Sequence, residues 1–137
     1  KLLSVLKPYS SLGLCSINSI KYKPTSDEVS LLASSHVVDW SPHLRNYSDT
    51  AHVVSQLDLV ITVDTAVAHL SAALGCPTWL LLPWDADFRW LRDRTDSPWY
   101  TSSLRLFRQP SRHDWDGLLV SLRDTLDDVF LLYRSIN

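Results

Sequence analysis

The chain has 137 residues, 45% of them hydrophobic and 20% charged, with a formal net charge of −2. That is one domain's length with enough apolar material for a core, and the composition excludes a disordered segment. A charge so near neutral gives no electrostatic case for nucleic acid or an anionic membrane surface, and no apolar run approaches the roughly 20 residues of a membrane-spanning helix. Pro8 and polar residues follow the start too soon for a signal peptide, so a cytoplasmic location is expected. Lacking Met at its first position, the chain reads as a piece of a longer protein, a single domain over residues 1–137. Cys15 and Cys76 have the spacing of neither a metal site nor a disulfide framework and are expected as buried free thiols.

Lys1 to Tyr9 reads as the end of a helix stopped at Pro8, and Leu12 to Ile17 as a short apolar strand. Thr25, with Glu28 three residues on, forms a capping box that opens a helix to about Ser34. His36 to Trp40 reads as a second short strand. Ser48 or Asp49 is placed to cap a third helix, whose Ala51, Val53, Val54 and Leu57 make one apolar side. Leu59 to Val63 is nearly continuous in apolar and β-branched residues, the pattern of a strand covered on both faces.

Ala66 to Leu74 follows as a helix closed by Gly75, with Pro77 blocking continuation. Thr78 to Leu82 is another buried strand, ended by Pro83. Residues 84–103 read as loop with one helical turn near Phe88 to Arg92, and Leu104 to Arg108 as a strand. Asp114 to about Tyr133 is a long amphipathic helix with Trp115, Leu118, Leu119, Leu122, Leu126, Val129 and Phe130 on one face. This alternation predicts an α/β fold, a parallel sheet with helices on both faces.

In such a sheet, ligands bind beyond the carboxyl ends of the strands. Asp64 and Thr65 fall there, between a strand and a helix. The helix start offers N–H groups without partners and a positive dipole end, Thr65 adds a hydroxyl, and Ala66 and Ala68 leave room for close approach. A phosphate or diphosphate fits there without a glycine motif. The competing reading makes Asp64 or Thr65 an ordinary N-cap worth about 1 kcal/mol, and His69 a hydrogen-bonded core histidine. No metal is expected, since His36, His43, His52, His69 and His113 include no i, i+4 pair with a supporting acid. With only three glycines, Gly13, Gly75 and Gly117, the chain has no dinucleotide or P-loop signature, and no nucleophile elbow is present.

Four of the six tryptophans, Trp79, Trp84, Trp90 and Trp99, crowd one window, which marks either aromatic packing or a pocket. Arg89, Arg92 and Arg94 stand beside Asp85, Asp87, Asp93 and Asp96, ordinarily a solvated, self-paired loop. Arg89, between Phe88 and Trp90, reads equally as a group serving a phosphate or carboxylate and as a stacked salt bridge.

The ordered run DLVITVDTAVAHLSAALGCPTWLLLP, followed by FRWL, DSPWY, LRLFRQ and DWDGL, resembles the C-terminal part of glycosyltransferase family 9, the heptosyltransferase-like group. It is most similar to members fused behind tetratricopeptide repeats, and the likeness runs from about Tyr47 to Leu126. The resemblance implies the C-terminal half of a GT-B architecture: a Rossmann-like, donor-binding domain, truncated at its N-terminal edge. Asp64, Thr65, Ala66 and His69 would line the site of a nucleoside-diphosphate sugar, with the amides of Ala66 and Val67 against the phosphates. Arg89, Trp90 and Tyr100 would shape the donor side of the interdomain cleft.

Such enzymes generally use no bound metal, and no other cofactor is implied. No catalytic residue is assigned, because the general base is expected in an upstream N-terminal domain of the same chain. The implied partners are therefore a nucleotide sugar, that upstream domain and tetratricopeptide repeats, and the fragment alone is expected to be inactive. The rival is a non-catalytic interaction module that keeps the fold and buries Trp84, Trp90 and Trp99 against a protein partner. An epimerase of the same two-domain architecture is a third reading.

Overall fold

Helices alternate with parallel strands through the computed structural model, which describes residues 1–13, 15–100 and 102–136. The parallel pairing expected from the sequence is present, divided between two small sheets. The chain groups into two compact units, one formed by the residues up to Thr50 together with those from Leu126 on, the other by Ala51–Thr125.

The first unit contains α1 (Leu2–Ser11), β1 (Ile17–Ser19), α2 (Ser26–Ala33) and β2 (Val37–Asp39). Pro8 does not stop α1 but lies inside it. Proline removes one donor to the preceding turn and leaves its own carbonyl free to accept, and the Leu12 N–H takes that carbonyl at 3.1 Å. The turn after the helix instead carries Gly13 at φ +70°, a left-handed conformation suited to glycine. The strand expected over Leu12 to Ile17 consequently starts only at Ile17; Leu14 lies outside the described residues. β1 and β2 pair in parallel from Ile17 opposite Val37 to Ser19 opposite Asp39.

The capping box forms as expected. Thr25 Oγ1 accepts the Glu28 N–H, and the Glu28 carboxylate accepts the Thr25 N–H at 2.8 Å. The cap of α3 (Tyr47–Val54) differs from expectation, since Asn46 Oδ1, not Ser48 or Asp49, accepts a first-turn N–H, that of Asp49 at 3.0 Å. Asp49 instead takes the backbone N–H and guanidinium of Arg45. Tyr9 stacks on Phe130 with ring centroids 4.8 Å apart and donates its hydroxyl to Asp127 Oδ1 at 2.7 Å.

The second unit contains β3 (Val60–Val63), α4 (Ala66–Ala73), β4 (Thr78–Leu82) and β5 (Leu104–Arg108), and the start of α5 (Trp115–Ile136). Its strands lie in the order β3-β4-β5, all parallel, with Val60 opposite Thr78 and Thr78 opposite Leu104. Every residue of central β4 is buried. β3 is an edge, so the expected cover on both faces holds at Val60 and fails at Val63, which is exposed. Leu80, Leu82, Leu104 and Leu106 form one core with Ala68 and Ala72 of α4 and with Trp90. Alanine at 68 and 72 lets the helix approach the sheet, and each fully buried leucine contributes about 1.5–3 kcal/mol. By strand alternation Trp79, Leu81 and Phe107 point the other way, and they are buried too. Cys76 is a buried free thiol as expected, whereas Cys15 is only half-buried.

Asp114 caps α5, its Oδ1 accepting the Gly117 N–H at 2.8 Å. Along that helix Leu118, Leu119, Leu122 and Leu126 are buried, while Val129 departs from the expected apolar face and is exposed. A Cβ on Gly117 would meet Asp114 Oδ2 at 2.5 Å and Pro110 Cγ at 2.8 Å, so glycine is what allows the carboxylate to close on the helix. Gly117→Ala and Asp114→Ala should each cost about 1 kcal/mol in denaturant unfolding, and the double variant much less than their sum, because both remove one cap.

The Lys21 ammonium, and after it the Thr25 backbone, hold the Glu28 carboxyl at about 2 against an ordinary 4.5. A folded value below the unfolded one means that the cap's contribution is complete above pH 4.5 and is lost as pH falls towards about 2. The Glu28 carboxyl carbon resonance should therefore titrate near pH 2, and a midpoint near 4.5 would contradict the closed box.

Candidate functional site

β3 ends at Val63, and Asp64 and Thr65 make the turn into α4 at the carboxyl end of the strand. Thr65 is extended, with φ −141° and ψ 171°, and occupies the N-cap position without its side chain capping the helix. Its hydroxyl turns back to the Val63 carbonyl at 3.3 Å and lies 3.4 Å from Thr62 Oγ1. The start of α4 therefore has no side-chain acceptor on its first N–H groups, while the Ala68 N–H reaches the Thr65 carbonyl at 3.0 Å. Ala66 is exposed and Val67 half-buried beside it.

The Asp64 carboxylate is directed at the loop. Its Oδ2 accepts the Trp90 indole N–H at 2.8 Å, and its Oδ1 lies 3.8 Å from His69 Nε2. Trp90 belongs to the 3-10 turn Phe88–Trp90, is 1% exposed, and stacks on the His69 ring at 5.4 Å and 25°. His69 Nδ1 lies 2.9 Å from the Tyr100 hydroxyl. Because Nε2 faces a carboxylate, the neutral ring is best placed with its proton on Nε2 and with Tyr100 donating to Nδ1. Asp64, His69, Trp90 and Tyr100 are thus brought together, and Thr65, Ala66 and Val67 adjoin them through the chain.

Arg89 faces a different partner. Asp87 caps the 3-10 turn, accepting the Arg89 N–H at 3.0 Å and its Nε–H at 2.8 Å. Arg89 accordingly holds the Asp87 carboxyl below its usual range, and Asp87 raises the guanidinium, with smaller contributions from Asp64 and Tyr100. Arg94 and Asp96 pair in the same way, which is the self-paired loop. The aromatic window divides: Trp79 and Trp90 are buried, whereas Trp84, Phe88 and Trp99 are exposed.

Two residues outside the expected set stand at the carboxyl end of β5. Arg108 donates through Nη2 to the carbonyls of Trp90 and Leu91. Gln109 Oε1 accepts the N–H groups of Trp84 and His113 at 3.1 and 3.2 Å, joining the loop after β4 to the approach to α5. The sequence signal for both is slight: Arg108 closes the strand, and Gln109 stands between it and Pro110.

Among the described residues no group of three or more His, Cys, Asp or Glu could hold a metal ion, and no helix is long and apolar enough to cross a membrane. No family model, curated protein or solved structure matches the chain.

Tyr100→Phe removes the donor that faces His69 Nδ1. In nitrogen-15 spectra at a pH where the ring is neutral, the native chain should show His69 protonated at Nε2, and the variant a mixture of tautomers. A native ring protonated at Nδ1 would reverse the assignment.

Proposed function

We propose that this chain is the donor-binding domain of a sugar-nucleotide-dependent glycosyltransferase, a Rossmann-like C-terminal half of a GT-B enzyme working in the cytoplasm. The observation that carries the reading is the start of α4 at the carboxyl end of β3. Its N-cap residue, Thr65, does not cap it, and the neighbouring carboxylate, Asp64, is taken up by Trp90. A diphosphate placed there would meet the amides of Ala66 and Val67, the positive end of the helix and the Thr65 hydroxyl. These are donors of the kind that stabilise charge on a departing diphosphate without a metal.

Asp64, Trp90 and Tyr100 hold the His69 ring beside that end of the helix, with Nε2 on the Asp64 side. Arg89 supplies positive charge beside Asp64 in spite of its bond to Asp87. The acceptor and the general base would belong to an upstream N-terminal domain, so the fragment binds donor and transfers nothing by itself. The resemblance to family 9 supports the sugar nucleotide over other diphosphates.

Amide NMR titration with UDP, GDP and ADP tests this. Saturable shifts over Thr65 to Leu70 are expected, with Thr65→Ala weakening the best nucleotide severalfold, about what one lost hydrogen bond removes. No shift at millimolar nucleotide would contradict donor binding by this chain.

One feature favours a second reading, an interaction module that retains the fold. Of the aromatic surface expected for it, Trp84 and Trp99 are 52% and 70% exposed, whereas Trp90 is buried in the core; Phe88, 86% exposed, adds to them on the same loop, more apolar surface than a solvated loop requires. That reading predicts no nucleotide shifts.

A further inference from the structure

Trp90 holds Asp64 only as long as the turn that carries it keeps its place, and its ring N–H and its carbonyl are engaged on different elements. Immediately after the turn, Leu91 adopts φ 49°, a left-handed conformation that L side chains take only at a cost. The carbonyls of Trp90 and Leu91 converge on one group, Nη2 of Arg108 at the end of β5. Arg108 is half-buried, makes no ion pair among the described residues, and has a buried Nε without a partner. Burial pulls its guanidinium below the usual arginine range, with Asp93 opposing weakly. A guanidinium placed this way is poorly used as a salt-bridge partner and well used as a clamp on two carbonyls, because charge-assisted bonds to both need only one nitrogen.

We propose that Arg108 is a positioning residue for the site at the start of α4. From the last residue of β5 it pins the Trp90 and Leu91 carbonyls, and this keeps the Trp90 indole on Asp64 and against the His69 ring. Its effect on ligand affinity rests on the sugar-nucleotide reading, whereas its effect on Trp90 does not. Arg108→Met keeps much of the side-chain bulk and offers the carbonyls no donor. Arg108→Lys keeps the charge and one ammonium that can reach a carbonyl, so it should restore part of the effect.

The test is hydrogen exchange of the Trp90 indole N–H in the unliganded 137-residue chain, assigned by its loss in Trp90→Phe. The backbone amide of Leu80, in the middle of β4, reports on global opening. Arg108→Met should speed exchange at the Trp90 indole about tenfold or more while Leu80 stays within about twofold, with Arg108→Lys between native and Met. In the same variants the nucleotide shifts at Thr65 to Leu70 should saturate at higher concentration. Equal loss of protection at Trp90 and Leu80, or an unmoved Trp90, would overturn the proposal. If Arg108→Met does not fold, Arg108→Lys carries the same comparison with Leu80. A loosened Trp90 in a chain whose native form gives no nucleotide shifts would leave the clamp standing and remove the donor reading.

Discussion

A single hydrogen bond, from the Trp90 indole to the Asp64 carboxylate, joins the end of β3 to a loop 26 residues further along the chain. The other features at this end of the sheet depend on it. Trp90 is part of the core with Leu80, Leu82, Leu104 and Leu106, and Ala86 and Tyr100 pack against the same cluster. His69 has its place because one ring face lies on Trp90 and one nitrogen on Tyr100. A large ring buried in an apolar core requires a partner for its N–H, and the strand-end carboxylate is that partner. Burial of Trp90 and orientation of Asp64 are therefore one event.

The same bond decides what the β3–α4 turn can do. A carboxylate turned onto a helix start would cap its N–H groups. With Asp64 turned to the loop and Thr65 turned back to Val63, the start of α4 keeps its N–H groups uncapped by side chains. In the proposed donor site a phosphate would be met by backbone N–H groups rather than by a lysine or a glycine-rich loop. The exposed Phe88 beside Arg89 lies on the loop that Trp90 anchors.

Much of the local structure was legible in the sequence because it is written in short-range chemistry. Thr25 with Glu28, Gly75 before Pro77, and the apolar run from Thr78 to Leu82 ended by Pro83 all appear where their residues require. The departures are at boundaries where two local options compete. Pro8 is tolerated inside α1, and Asn46 takes the cap before Ser48 or Asp49 can. What the pattern could not reveal is which distant groups meet. Trp84, Trp90 and Trp99 share a window and a residue type, yet only Trp90 is buried, because it alone meets both the core cluster and Asp64. Arg89, set between two aromatic residues, bonds to Asp87, while Arg108, unremarkable in sequence, reaches the carbonyls that end the turn. The division of the strands into two small sheets is likewise a matter of long-range pairing, invisible to periodicity.

A double-mutant cycle on Asp64→Ala and Trp90→Phe, followed by denaturant unfolding, addresses the bond itself. Trp90→Phe retains an aromatic ring and removes the N–H, so the cycle isolates the interaction from most of the lost packing. A coupling of about 1.5–3 kcal/mol, the range for a hydrogen bond to a charged group, is expected. Additivity within about 0.5 kcal/mol would show that strand end and loop are held independently, and the ordering of the site by Trp90 would have to be abandoned.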